Sequence, residues 1–226
     1  GTTLLGQFAN TVTLTDIDST WTEARAVETK TATVTLHALK ELEKTLPFPI
    51  LSLNTDCGSE FINHEVAKFC LNHNGRSIEF TRSRPYKKND NCYVEQKNYT
   101  HVRELFGYER IESPLLVHLM NEIYSDYWLP LHNFFIPTFK LKEKIRVGSK
   151  IKKIYGVLQT PYDRLMQSKH LSVSRKEFLK KRFEQLDPFV LSEGLQKKIH
   201  DFNKAFKHCK LGEIHATHPT TSTSLG

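Results

Sequence analysis

Residues 50–61, ILSLNTDCGSEF, decide how this chain folds. Ile50 to Leu53 is an apolar run too short for a helix and suited to a buried parallel strand. Asp56 then stands at the C-terminal end of that strand, and Gly58 marks a tight turn into a helix from about Asn63 to His73, with Val66, Phe69 and Cys70 inward. In open α/β sheets, ligands bind at that end of a strand, so Asp56 is a candidate functional carboxylate. An aspartate capping the next helix or closing the turn would read the same way.

Working outward toward the N-terminus, Leu36, Leu39, Leu42 and Leu46 recur at helical spacing until Pro47 and Pro49 stop the helix. Before it, TVTLTDI (11–17) alternates as a half-buried strand does, and Ala24 to Val27 pairs with it across a turn at Asp18-Ser19-Thr20. Toward the C-terminus, Ile78 to Thr81 reads as a strand and residues 82–91 as a polar surface loop. A helix follows from about Cys92 to Phe106, with Val94, Val102, Leu105 and Phe106 as core candidates. Ser113-Pro114 opens another, reaching about Leu129. From Pro137 the texture changes. KLKEKIRVGSKIKK (140–153) reads as a linker or extended arm, Thr160-Pro161 starts a helix, and Ser174 with Glu177 makes a capping box. Leu195, Ile199, Phe202 and Phe206 form the last apolar stripe, and residues 215–226 read as a disordered tail.

A chain of 226 residues can bury a full core. No run is long and apolar enough to span a bilayer, and the opening GTTLLGQFAN lacks the basic and apolar blocks of a signal peptide. The opening residue is Gly1 rather than Met, so the natural chain is expected to begin earlier. Four scattered cysteines (Cys57, Cys70, Cys92, Cys209) suit reduced thiols better than a disulfide frame. His64, Cys70 and His73 lack the regular spacing of a zinc site. The net charge of +7 is uneven: residues 1–137 carry 13 Lys and Arg against 17 Asp and Glu, whereas residues 138–226 carry 19 against 8. A basic rear half favours a polyanion, although a solvated helical surface has the same composition.

The second candidate carboxylate is Glu95 in KKNDNCYVEQKN (87–98), within the first turn of a helix that Asp90 or Asn91 can cap. Alone it reads equally as a favourable charge near a helix N-terminus. Together, a strand-end Asp and a helix-start Glu make a pair of hard oxygen ligands suited to Mg²⁺. Two such ions can clamp the attacking and leaving oxygens of a phosphoryl displacement.

These motifs carry a resemblance. NTDCGSEF resembles the second-Asp motif of the retroviral-type integrase superfamily, which includes many bacterial insertion-sequence transposases. SRPYKKNDNCYVEQKN resembles the loop and Glu-bearing helix of the insertion-sequence branch. LTDIDSTWTEARAV (14–27) is similar to the second and third strands of that core, and NFFIPTFKL with GSKIKKIYGVLQTPYDRL is similar to its C-terminal extension. The resemblance covers about residues 1–168. It implies an α/β fold with a ribonuclease H-like mixed sheet flanked by helices over residues 1–137, and a basic, mainly helical extension over 138–214. It implies a DDE-type polynucleotidyl transferase that cuts and joins DNA strands, with Asp56 and Glu95 as catalytic residues and ligands of Mg²⁺ or Mn²⁺. The expected partners are element-end and target DNA and further copies of the chain. The expected location is the bacterial cytoplasm, at the nucleoid when DNA is bound.

Three departures from the family pattern stand out. The family's leading Asp lies on a strand before the hairpin, which this sequence does not contain, so impaired activity is expected. Asp16 and Asp18 fall on the second strand and its turn, where the family has no ligand. Cys57 stands where the family usually has Asn. The interval from Asp56 to Glu95 also exceeds the family's by a few residues, which LNHNGRS (71–77) can absorb in a turn.

Arg82, Arg84, Lys87 and Lys88 precede Glu95 and Lys97 follows it, placing cations where they can reach phosphates. Tyr86 and Tyr99 can stack on an end base or simply pack. Lys150, Lys152 and Lys153 belong to the strongest basic run and are candidate DNA contacts. Two rival readings remain: a non-catalytic DNA-binding remnant, and a general ribonuclease H-like nuclease.

Overall fold

The structure is a computed structural model that describes residues 8–55, 64–73, 75–82 and 99–217. Strands β1 (Asn10–Thr15) and β2 (Thr22–Val27) form an antiparallel hairpin, with Thr11 opposite Ala26 and Thr13 opposite Ala24. The alternation read from the sequence gives the hairpin two different faces. Val12 and Val27 pack against Ala38 and Leu42 of helix α1 (Ala32–Thr45). On the opposite face, Ala24 and Ala26 meet Leu116 and Met120 of a later helix. Helix α1 is capped by Thr31, whose hydroxyl accepts from the Val34 N–H at 3.4 Å, and it ends as Leu46 turns extended before Pro47.

Strand β3 (Ser52–Thr55) lies two residues beyond the expected span. It pairs in parallel with β4 (Glu79–Arg82), in the register Leu53 to Phe80 and Thr55 to Arg82. Helix α2 (His64–Leu71) buries Val66 and Cys70. After it, His73 and Arg76 exchange backbone hydrogen bonds of 2.8 and 3.0 Å around Gly75, at φ 77°. A tight turn thus leads from α2 toward β4.

A π-helical stretch (Tyr99–Arg103) continues into α3 (Glu104–Phe106). Next come α4 (Pro114–Glu122), a second π-helical stretch (Ile123–Trp128) and α5 (Leu129–Phe135), which run on without a break as one rod. The sequence suggests a stop at Leu129 because Pro130 follows. A proline removes one backbone donor and collides with the carbonyl four residues back. Widening the preceding turns to π geometry lets the rod pass through it.

The segment expected as a linker or extended arm at 140–153 is an antiparallel ribbon, β5 (Leu141–Val147) and β6 (Lys150–Tyr155), and no linker. Ile145, Val147 and Ile151 favour extended backbone. Gly148, at φ 60°, opens a two-residue turn of the primed kind that hairpins prefer. Helix α6 (Pro161–Gln167) has a complete capping box between Thr160 and Asp163. Helix α7 (Val173–Glu184) is capped by Ser172, whose hydroxyl accepts from the Arg175 N–H. The expected Ser174–Glu177 box does not form, because Ser174 already lies inside the first turn. Helix α8 (Pro188–Thr217) carries the last apolar stripe and runs through residues 215–217, the start of the expected disordered tail.

The fold is mixed α/β, with the described strands arranged as three separate two-stranded sheets rather than one continuous sheet. Two hydrophobic clusters join its parts. One brings Ala24 and Ala26 together with the α4–α5 rod and with Leu195 and Phe202 of α8. The other gathers Trp21, Leu39, Leu53, Val66 and Phe134 with Leu165 and Leu179. Residues on both sides of position 137 therefore share the same cores. No helix among the described residues is long and apolar enough to cross a membrane.

Candidate functional site

Strand β3 points two residues inward, Leu53 and Thr55, and two outward, Ser52 and Asn54. The Asn54 amide donates to the Thr81 hydroxyl at 2.8 Å, tying it to β4. Because β3 and β4 are parallel, both leave the sheet at the same end. Thr55 is followed directly by Asp56, and Arg82 directly by the segment bearing Arg84, Lys87 and Lys88. The structure thus brings the roots of the acidic and basic motifs together. Asp56, Glu95, Arg84, Lys87, Lys88 and Lys97 themselves lie outside the described residues, as do Cys57, Tyr86 and Val94. Arg82 is exposed, with its guanidinium 5.6 Å from the centre of the Phe80 ring. The Thr55 hydroxyl, at the sheet end, is buried without a hydrogen-bond partner among the described residues.

The helix expected to carry Glu95 is described from Tyr99 onward, and its far end is firmly held. His101 is fully buried, and its Nδ1 accepts from the Trp128 indole N–H at 2.7 Å. The proton of the neutral ring therefore sits on Nε2. The His101 carbonyl accepts from the Tyr124 hydroxyl at 2.9 Å, and the His132 ring meets the His101 ring edge-on at 4.6 Å. Burial pushes the Tyr124 phenol well above its usual range. Sequence reading gave His101 no special role, although Trp128 and His132, one helical turn apart, were a signal that this stretch shares a face.

Asp16 and Asp18 are engaged in the hairpin turn. The Asp16 carboxylate accepts from the Ser19 N–H at 2.7 Å and from its hydroxyl at 2.6 Å. Asp18 pairs with Lys140 at 2.7 Å, and that hydrogen bond is the main cause lowering its pKa. Of His64, Cys70 and His73, Cys70 is buried in the core and His73 lies 2.8 Å from Glu43. Among the described residues, no three His, Cys, Asp or Glu side chains converge as a metal centre.

The two edges of the hairpin differ. Asp16 and Trp21 form a hydrogen-bonded pair, which turns the backbone groups of Thr22, Ala24 and Ala26 toward the outer edge of β2. Two asparagines occupy that edge. Asn133 accepts from the Thr22 N–H and donates to its carbonyl, and Asn121 does the same at Ala26. The outer edge of β1, presented by Thr11, Thr13 and Thr15, has no strand beside it among the described residues. The Thr13 hydroxyl on that strand is buried without a partner there.

Sequence reasoning also missed Glu23. It is only 7% exposed and accepts from the Trp21 indole N–H at 2.8 Å. Burial pushes its carboxyl up to about 7, against the opposing pull of the Trp21 and Thr45 hydrogen bonds. It lines a cavity of about 510 Å³ together with Thr45, Asn121, Asn133, Arg175 and Arg182. Nothing in the local pattern distinguishes Glu23 from a solvent-facing strand residue.

No protein-family model matches the chain. The uncharacterized protein y4rM of Sinorhizobium fredii (strain NBRC 101917 / NGR234) is 38% identical to it over 155 residues. The match takes in 69% of this chain and 43% of that protein, so the chain spans less than half of its relative's length.

Proposed function

We propose that this chain is the body of a DDE-type DNA transposase or integrase with a ribonuclease H-like core, in which Asp56 and Glu95 act at the end of β3. The observation that carries this reading is the sheet end itself: parallel strands whose next residues are Asp56 on one side and a basic segment on the other. The order hairpin, helix, strand, helix, parallel strand agrees with such a core downstream of its first strand. A strand bearing a further carboxylate would lie beside β1, because asparagine side chains already take the edge of β2.

Asp and Glu oxygens suit Mg²⁺ or Mn²⁺, and no other acidic or histidine cluster among the described residues competes for the ion. When bound, the ion would supply positive charge that stabilises the attacking and leaving oxygens of a phosphodiester. The cations Arg82, Arg84, Lys87, Lys88 and Lys97 would hold neighbouring phosphates and position the strand. DNA, and further copies of the chain assembled on it, are the partners this activity requires.

Iron-directed cleavage tests the convergence of the two carboxylates. Fe²⁺ replacing Mg²⁺, supplied with hydrogen peroxide as oxidant and ascorbate to regenerate Fe²⁺, would generate hydroxyl radicals that cut the polypeptide near both position 56 and position 95. Excess Mg²⁺, Asp56→Ala and Glu95→Ala should each abolish the cuts. Cuts at one position alone, or cuts indifferent to both substitutions, would sink the shared metal site. A non-catalytic DNA-binding body would still bind duplex through its basic ribbon, with no metal-directed cuts. A strand-transfer assay separates a transposase from a general nuclease.

A further inference from the structure

The β5–β6 ribbon carries Lys142, Lys144, Arg146, Lys150, Lys152 and Lys153 against one acid, Glu143. Among the described residues, none of these six cations has an ion-pair partner, and all six are exposed. An isolated two-stranded hairpin is marginal in water, and Ile151 on this one is 64% exposed. The ribbon's root, by contrast, is fixed. Gly156 N–H donates to the Lys140 carbonyl at 2.8 Å, Lys140 is bonded to Asp18, and the Arg164 guanidinium ties Thr138 to Ser19 and Thr20. A rigidly rooted, uncovered and unneutralised ribbon is a surface prepared for a polyanion.

The register sorts its side chains. Lys144 lies opposite Lys153, and Arg146 opposite Ile151, so these four share one face; Ile145 and Lys152 lie on the other, with Glu143 and Ile154. The first face has three cations and no acid, with Ile151 among them and Tyr155 at the ribbon's root, where the Phe139 ring meets it edge-on. Three cations with no acid to offset them suit phosphates and base edges, whereas a lipid-facing element needs a continuous apolar face, and the ribbon's other face is broken by Glu143, Lys150 and Lys152. The major groove of B-form DNA, about 12 Å wide, admits a two-stranded ribbon, whereas the major groove of duplex RNA is too deep and narrow to be read.

We infer that the β5–β6 ribbon enters the major groove of duplex DNA with the face bearing Lys144, Arg146 and Lys153 turned inward. Lys150 and Lys152 reach back along their flexible stems to the flanking phosphates. This placement rests on the DNA reading of the preceding section and adds to it the element, the face and the groove.

The test is fluorescence anisotropy of the whole chain on a duplex of roughly 20 base pairs across a salt series. The variant Lys144→Gln/Arg146→Gln/Lys153→Gln should bind at least about tenfold more weakly at about 0.1 M salt, and the slope of log affinity against log salt should fall by about 3. Lys176→Gln/Lys180→Gln on α7 serves as the control and should change little. Far-UV circular dichroism checks folding, and the single change Lys153→Glu provides a second, milder variant. Glucosylated hydroxymethylcytosine, which fills the major groove, should weaken binding, while netropsin in the minor groove should not. Equal binding by parent and ribbon variants overturns the ribbon assignment and leaves DNA binding intact. Displacement by netropsin but not by glucosylation overturns the groove. Stronger binding to anionic vesicles than to duplex replaces DNA with a membrane surface, and no duplex binding by the parent chain removes the DNA reading as a whole.

Discussion

Asn133 grips Thr22 through both atoms of its side-chain amide, accepting from the Thr22 N–H at 2.9 Å and donating to the Thr22 carbonyl at 2.7 Å. The two residues are 111 positions apart, and both are buried. The amide stands in for a neighbouring strand on the outer edge of β2, where none lies among the described residues. Asn121 repeats the device at Ala26, with distances of 2.8 and 3.0 Å. Between them, the helices of the rod close one edge of the hairpin and fix its orientation against the core.

Replacing Asn133 with Ala strips its amide from two buried backbone groups, the Thr22 N–H and the Thr22 carbonyl. Each such group costs about 1–3 kcal/mol, so Asn133→Ala should lower unfolding stability by about 3 kcal/mol in a urea titration. Asn121→Ala should cost less, because that side is half-exposed. A loss below about 0.5 kcal/mol for Asn133→Ala, the range of ordinary surface changes, would mean that water replaces the amide and that the edge is not closed by the clamp.

Glu23 makes stability fall with pH. Its folded pKa of about 7 lies above the ordinary carboxyl value of 4.5, chiefly through burial. Between those values the folded state retains a proton that the unfolded state has lost, so stability declines as pH rises from about 4.5 to 7 and then levels off. At about 1.4 kcal/mol per pH unit, the decline amounts to about 3 kcal/mol. Glu23→Gln keeps an acceptor for the Trp21 indole and removes the ionisation. The variant should melt higher than the parent at pH 8, match it near pH 4.5, and show no slope from this residue in between. Parallel profiles for parent and variant would mean that Glu23 ionises as an exposed carboxyl does.

Features set by near neighbours were readable in the sequence. The alternation of Thr11 to Ile17, with Ala24 to Val27 beyond a turn, marks a hairpin because its period is local, and Thr160-Pro161 marks a helix start for the same reason. Strand β3 appeared two residues early, because hydrophobicity locates Ile50 in the core while pairing with β4 decides where the strand runs. In the ribbon, lysines obscured a pattern that was present, with β-branched residues on either side of Gly148-Ser149. Glu23, Asn133 and His101 were illegible in kind, since their environment is assembled by distant elements. For the candidate site, the sequence correctly put Asp56 just past a parallel strand. The sheet's division into two-stranded units depends on long-range pairing that no local pattern encodes.

Gly194 offers a final check on how α8 seats against the rod. A Cβ at this position would fall on Cε1 of Tyr127 and 2.7 Å from its Cδ1, far inside contact distance. The absent side chain therefore makes room for the tyrosine ring. Two effects oppose each other in Gly194→Ala. Helix propensity favours alanine by about 1 kcal/mol, while forcing a methyl group into a filled contact costs about 1–3 kcal/mol. Because the collision is with the edge of a rigid ring carried on two rotatable bonds rather than with the tip of a long flexible chain, the steric cost should win, leaving a net loss of about 1 kcal/mol. Removing the ring reverses the balance. In a Tyr127→Ala background, Gly194→Ala should stabilise, and the double-mutant cycle should show coupling of at least about 1 kcal/mol. Additive effects within about 0.5 kcal/mol would mean that the ring swings aside freely and that α8 does not depend on this close approach.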